Sequence, residues 1–202
     1  MAQMILQRKE AITLSSFFKF LGHSEEERKT EIENALTEIS LEPGDVAPEI
    51  ANYHARKSIE YRFSFFTNSY LQAFLSKQLP TTIEVKGKGR KLLPCVCCGY
   101  KTLQGIGWEI CAVCFWEDDG VTELNKMSGP NHMTLFEAKQ NFNNFGLSRD
   151  GYQSYCDPDR MLQFEKSVMR HKVFNFDAAD VQPATPFEDA VKYAGYLSKK
   201  SK

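Results

Sequence analysis

"LLPCVCCGYKTLQGIGWEICAVCFWEDDG" (Leu92–Gly120) holds five of the six cysteines and both tryptophans of a 202-residue chain. Cys95 and Cys98 form one C-x-x-C, Cys111 and Cys114 a second, and twelve residues separate the pairs. A C-x-x-C turn lets two sulfurs converge at ligand spacing, and two such turns complete a tetrahedron. That arithmetic predicts one structural Zn²⁺ held by Cys95, Cys98, Cys111 and Cys114. A disulfide framework would need an oxidising compartment. A thioredoxin-type redox site would need a single C-x-x-C opening a helix after a strand. Gly99 after Cys98 can take the positive φ such a turn prefers, whereas Phe115 occupies the matching place after Cys114 and is less suited. Cys97 lies inside the first turn and is expected to point away from the metal as a small buried hydrophobe. Cys156, far along the chain, is expected to be an isolated buried thiol.

A site closed by four thiolates has no open position for water, which argues for structure and against metal catalysis. His132 in "GPNHMT" accompanies no recognisable serine or thiol nucleophile motif, so no catalytic residue is assigned. The run Trp116-Glu117-Asp118-Asp119 has three readings: a solvated turn, a hard-metal site, or a partner-binding edge with Trp116 as the aromatic anchor. The calcium-loop spacing is absent.

On the amino-terminal side the pattern is helical. Ala11, Leu14, Phe18 and Leu21 recur at helical steps up to Gly22. Ser24 with Glu27 is a capping box opening "SEEERKTEIENALTEI", whose stripe is Ile32, Ala35, Leu36 and Ile39. Pro48 opens a third helix with the stripe Ile59, Phe63, Phe66, Tyr70 and Phe74, broken near Asn68 and ended by Pro80. "TTIEVKGKGRK" reads as a strand and a flexible basic connector. It lacks the strand–loop–helix context of a phosphate cradle. On the carboxyl side, "MTLFEAKQNFNNFG" has Thr134 as cap, Glu137 in capping-box position and Gly146 as terminator. "DPDRMLQFEKSVMRH" predicts a further helix, and "FEDAVKYAGYLSKKSK" a tail that frays.

The expected fold class is α+β: a mainly helical amino-terminal region, a small zinc-ribbon-like β module, and carboxyl-terminal helices. The expected boundaries are 1–80 for the helical region, 81–91 for the strand and connector, 92–150 for the cysteine module and 151–202 for the remainder. Formal net charge is −1, so no global field draws the chain to nucleic acid or an anionic membrane. With 42% hydrophobic and 25% charged residues the composition is that of an ordinary globular protein, and no membrane span is predicted. The start, "MAQMILQRKEAITLSS", lacks the h-region and cleavage site of a signal peptide, which predicts a cytoplasmic protein.

Three separated blocks carry a family resemblance: "PCVCCGYKTL", "WEICAVCFWEDDG" and "GPNHMTLFEAKQNFNNFG". Together, over about Leu93–Gly146, they resemble the bacterial cysteine-rich CPCC family. Val96 and Ala112 stand where that family usually has prolines that stiffen the turns. The resemblance implies a zinc-binding domain and, since similar small proteins tend to occur beside toxin genes, a bacterial immunity protein that neutralises a cognate toxin. The function expected is therefore non-enzymatic: a zinc-binding module that contacts a protein partner, with Trp116, Glu117, Asp118 and Asp119 at the contact. The alternative is a nucleic-acid-binding zinc ribbon using "KGKGRK", Tyr100, Lys101 and Trp108. An enzyme built on His132 with Asp118 or Asp119 is a third class.

Overall fold

The computed structural model describes residues 3–167. Its class is α+β, as expected, but it begins with a strand. Strand β1 (Gln3–Gln7) runs directly into helix α1 (Arg8–Gly22) and pairs in parallel with β2 (Thr82–Lys86), Gln3 opposite Thr82 and Gln7 opposite Lys86. A parallel pair needs a long crossover. Here it consists of α1, α2 (Glu25–Thr37), α3 (Pro48–Phe63) and α4 (Asn68–Gln78). The mainly helical reading of the first eighty residues holds, with the addition of one strand that it did not include. β1 is mostly exposed, and its partner lies across the whole crossover, so no local alternation announces it.

The caps form as the sequence dictates. Ser24 Oγ accepts from Glu27 N at 3.2 Å while Glu27 Oε2 accepts from Ser24 N at 2.7 Å. The α3–α4 break falls at Ser64–Thr67, just before Asn68, and Thr67 Oγ1 caps α4 by accepting from Tyr70 N at 3.2 Å. Ala11, Ile59, Phe63, Leu71, Leu75 and Ile83 fill the core beneath these helices. Two residues of the predicted stripes, Leu21 and Ile39, are exposed. Phe20 is buried in place of Leu21, and Ile39 lies beyond the end of α2.

The cysteine region has little regular structure. β3 (Leu93–Pro94) pairs antiparallel with β4 (Lys101–Leu103), β5 (Met127–Ser128) with β6 (Met133–Thr134), and α5 (Leu135–Phe145) follows. Thr134 and Glu137 form the expected capping box, and Gly146 ends α5 at φ 79°. The helix expected over "DPDRMLQFEKSVMRH" shrinks to α6 (Arg160–Gln163). Beyond it the chain is extended along β4: Lys101 N donates to Glu165 O and Ser167 N to Gly99 O, each at 2.9 Å. The free edge beside Gly99 and Lys101 pairs with this segment in place of a further helical turn. The rest of that segment and the tail lie outside the described residues.

The described residues belong to one compact unit with two hydrophobic cores, one under the helices and one around the cysteines. Phe66 packs against both, and its ring meets buried Phe164 edge-on at 5.6 Å. Among the described residues no helix is long and apolar enough to cross a membrane.

Candidate metal centre

Two similar turns place the four thiols. In the first, Cys95 O accepts from Gly99 N and Cys95 N donates to Tyr100 O; in the second, Cys111 O accepts from Phe115 N and Cys111 N donates to Trp116 O, all at 2.9 Å. The matching residues both have left-handed backbone, Gly99 at φ 80° and Phe115 at φ 63°. For Phe115 this is strained, and its ring stacks on Tyr152 at 5.9 Å with an interplanar angle of 10°.

Cys95, Cys98, Cys111 and Cys114 are buried, and their sulfurs all lie within 4.8 Å of one another. Cys95 Sγ and Cys114 Sγ are 3.7 Å apart, Cys98 Sγ and Cys111 Sγ 3.6 Å. A tetrahedron with metal–sulfur bonds of about 2.3 Å has edges of about 3.8 Å, whereas a disulfide needs about 2.05 Å. The group therefore fits a tetrahedral, thiophilic metal ion. Cys97 is buried in the module's core but does not belong to the four-sulfur group.

The surroundings act differently on the individual sulfurs. Thr102 Oγ1 donates to Cys111 Sγ at 3.1 Å. Burial opposes ionisation of Cys111, yet hydrogen bonds from the thiols of Cys114, Cys95 and Cys98, and from Thr102, carry its pKa well below the ordinary value. Burial, together with the neighbouring thiols, pushes Cys114 well above it. Two cations also reach the turns: Lys139 Nζ donates to the carbonyls of Val96 and Cys97, and Arg160 Nε donates to Val113 O at 2.9 Å.

Asn131, next to His132, is the residue that sequence reasoning missed. It is buried, its Oδ1 accepts from Glu117 N at 3.0 Å, and its Nδ2 donates to Glu117 O at 2.8 Å and to Ser128 Oγ at 2.6 Å. A carboxamide offering donor and acceptor on one edge is suited to clasping a peptide unit this way. His132 itself is exposed, with φ 51°.

The expected partner edge is corrected at its anchor. Trp116 is 0% exposed and cannot be a surface anchor; its indole N–H is buried without an acceptor. Its side chain belongs to the hydrophobic core around the cysteines. Glu117, Asp118 and Asp119 are half-buried, and Asp119 Oδ1 accepts from Val121 N at 3.2 Å in a turn. The exposed tryptophan is Trp108, at 70%, between Ile106 at 78% and Ile110 at 61%. This loop is braced. Despite partial burial, which opposes ionisation, Glu109 accepts from the backbone N–H groups of Gln104, Gly105 and Ile106, and its pKa is lowered. Trp108, at φ 57°, donates its N–H to Asp118 O at 2.8 Å. Cys156, expected to be buried, is half-exposed, and its thiol donates to Tyr152 O at 3.2 Å.

Residues 93–161 match the family model described as cysteine-rich CPCC, in agreement with the resemblance carried by the three blocks. The match includes all four thiols and excludes the helical region with its parallel strand pair. No curated protein and no solved structure matches the chain.

Proposed function

We propose that the ion is a single structural zinc and that the protein is a non-enzymatic module presenting a rigid surface to a protein partner. The observation that carries this reading is the closed, buried tetrahedron of four sulfurs, which leaves no side open for substrate or water. Bound zinc would supply a cross-link between the two turns. Four thiolates and Zn²⁺ carry two net negative charges, and Lys139 and Arg160 place one positive charge at each turn. The contact surface is the braced loop with Ile106, Trp108 and Ile110, flanked by Glu109 and Asp118. A rigid aromatic anchor with an acidic rim suits a partner with an apolar pocket and a basic border. The sharpest form, resting on the family resemblance, is an immunity protein whose partner is a toxin. The nucleic-acid alternative is less favoured: Lys101 pairs with Glu165 at 2.6 Å, and carboxylates flank Trp108.

The test combines elemental analysis of the purified chain with affinity purification from the native host at low and high salt. One zinc per chain, with a stoichiometric protein that survives high salt and is released by Trp108→Ala, is expected. Iron in place of zinc would overturn the metal assignment. Nucleic acid lost as salt rises, with no protein bound, would overturn the partner assignment.

A further inference from the structure

The connector "KGKGR" gains in space the helix it lacks in sequence. β1 and β2 end side by side, Gln7 opposite Lys86. β1 leads into α1 at Arg8, and β2 leads into Gly87, Lys88, Gly89 and Arg90. Gly87 lets this loop lie against Arg8, and a side chain at Gly89 would make ordinary contact with its guanidinium. A Cβ on Gly87, which has φ 117°, would stand 3.2 Å from Arg8 Cβ, and one on Gly89 would stand 3.5 Å from the guanidinium carbon. Ligands of parallel α/β layers collect outside the carboxyl ends of the strands, and this is such a place.

An open cleft of about 570 Å³ lies here, lined by Arg8, Lys9, Lys57, Lys88 and Arg90, with Glu60 as the acid on its wall. Glu60 is already engaged by Lys57 Nζ at 2.7 Å and Thr13 Oγ1 at 2.6 Å. Among the described residues, none of Arg8, Lys9, Lys88 and Arg90 forms an ion pair. Arg8 is only 8% exposed, and all its acceptors are neutral: Asn68 Oδ1, Ser64 O and Phe66 O. Those carbonyls at the end of α3 offset part of one charge. Arg90 is held in place beside it, with Nε donating to Ser64 Oγ at 2.9 Å and its guanidinium over the rings of Phe65 and Tyr61 at 4.4 and 5.2 Å. Arg8 and Arg90, two arginines suited to phosphate oxygens, are thus held at one cleft with Lys9 and Lys88 exposed at its edge, and the lining carboxylate, Glu60, is engaged by Lys57 and Thr13.

We propose that this cleft binds the diphosphate group of a small phosphorylated ligand, with Arg8 as its floor and Lys9, Lys88 and Arg90 closing on the phosphate oxygens. The proposal is independent of the metal and of the partner surface. A concave site suits a compact polyanion, whereas a nucleic-acid strand would need a basic track beyond the cleft.

The test is calorimetric titration of the full, metal-loaded chain at low salt with pyrophosphate, a nucleoside diphosphate, orthophosphate, sulfate and a single-stranded oligonucleotide. Pyrophosphate and the nucleoside diphosphate should bind at one site, at least about tenfold tighter than orthophosphate or sulfate, because each added charged hydrogen bond contributes about a factor of ten. A nucleoside diphosphate tighter than pyrophosphate identifies a nucleotide as the source; equal affinity identifies the bare diphosphate. Lys9→Ala and Lys88→Ala change exposed side chains and should each weaken binding about three- to tenfold with the melting temperature retained. Arg90→Gln should weaken binding as much and also lower the melting temperature slightly, because it loses the contacts with Ser64, Phe65 and Tyr61. No saturable binding of either diphosphate would overturn the proposal. So would affinities that the three variants leave unchanged, or an oligonucleotide that binds tighter than both diphosphates.

Discussion

The helical region and the cysteine module reach comparable burial by different means. Under the helices, Leu36, Ile59, Leu71 and Leu75 are fully buried aliphatic side chains, set by helix periodicity and held by removal of apolar area from water. The module's longest strand has three residues, and three of its fully buried positions, Cys95, Cys111 and Cys114, are metal-ligand candidates. Its strands are short, and the four-sulfur group, which could hold a metal ion, lies within its core. On the proposed reading, one region is stabilised by area and the other by coordination.

The largest test of that contrast is metal removal. Zinc binding to small thiolate domains contributes about 10–16 kcal/mol at neutral pH, and in such domains it is folding free energy. A strong chelator, or Cys95→Ser, is expected to expose amides across residues 93–161 to hydrogen exchange while leaving α1, α3 and α4 protected. A metal ion here would bind thiolates, so its affinity would fall as pH falls and protons compete for sulfur, and acid should mimic the chelator. Simultaneous loss of helical protection would break the contrast.

The converse perturbation is smaller. Ile59→Ala opens a cavity in the helical core and should cost about 2–5 kcal/mol. The expected signature is a lower melting temperature with unchanged metal content and unchanged thiol reactivity. Asn131→Ala belongs to the other side. It removes the clasp on Glu117 and leaves a buried N–H and C=O without partners, at about 1–3 kcal/mol. Here the loss should appear as faster metal release to a competing chelator, with the helices untouched.

What the sequence made legible follows the same division. Local signals were read correctly: the capping boxes at Ser24 and Thr134, the left-handed stop at Gly146 and the paired C-x-x-C turns all act within a few residues. The misreadings concern distant partners. β1 exists only because β2 lies beside it, and the extended bridge at Lys166 only because the chain beside Tyr100 had a free edge. Trp108 and Trp116 each neighbour acidic residues, and nothing local says that one closes a turn inside the core while the other stands in water. The basic loop looked like a flexible connector because the helix beside it begins some eighty positions earlier in the chain.

The finest comparison lies inside the module, between its two turns. Gly99 and Phe115 hold the same left-handed backbone, but only the glycine adopts it without strain. Gly99→Ala should therefore destabilise the metal-loaded module by about 1–2 kcal/mol, read as a lower melting temperature. Phe115→Gly is not its mirror image. It relieves a similar strain, but a glycine loses about 0.5–1 kcal/mol in backbone entropy on folding. It also forfeits the stacked contact with Tyr152, which contributes about 0.5–1.5 kcal/mol beyond area. The three effects nearly cancel, so the expected shift is close to zero. In a Tyr152→Ala background the stacking is already gone, and Phe115→Gly should then become neutral to stabilising. If Phe115→Gly stabilises the otherwise unaltered chain by about 1 kcal/mol or more, Tyr152 does not compensate the strain, and the second turn is the weaker half of the metal site.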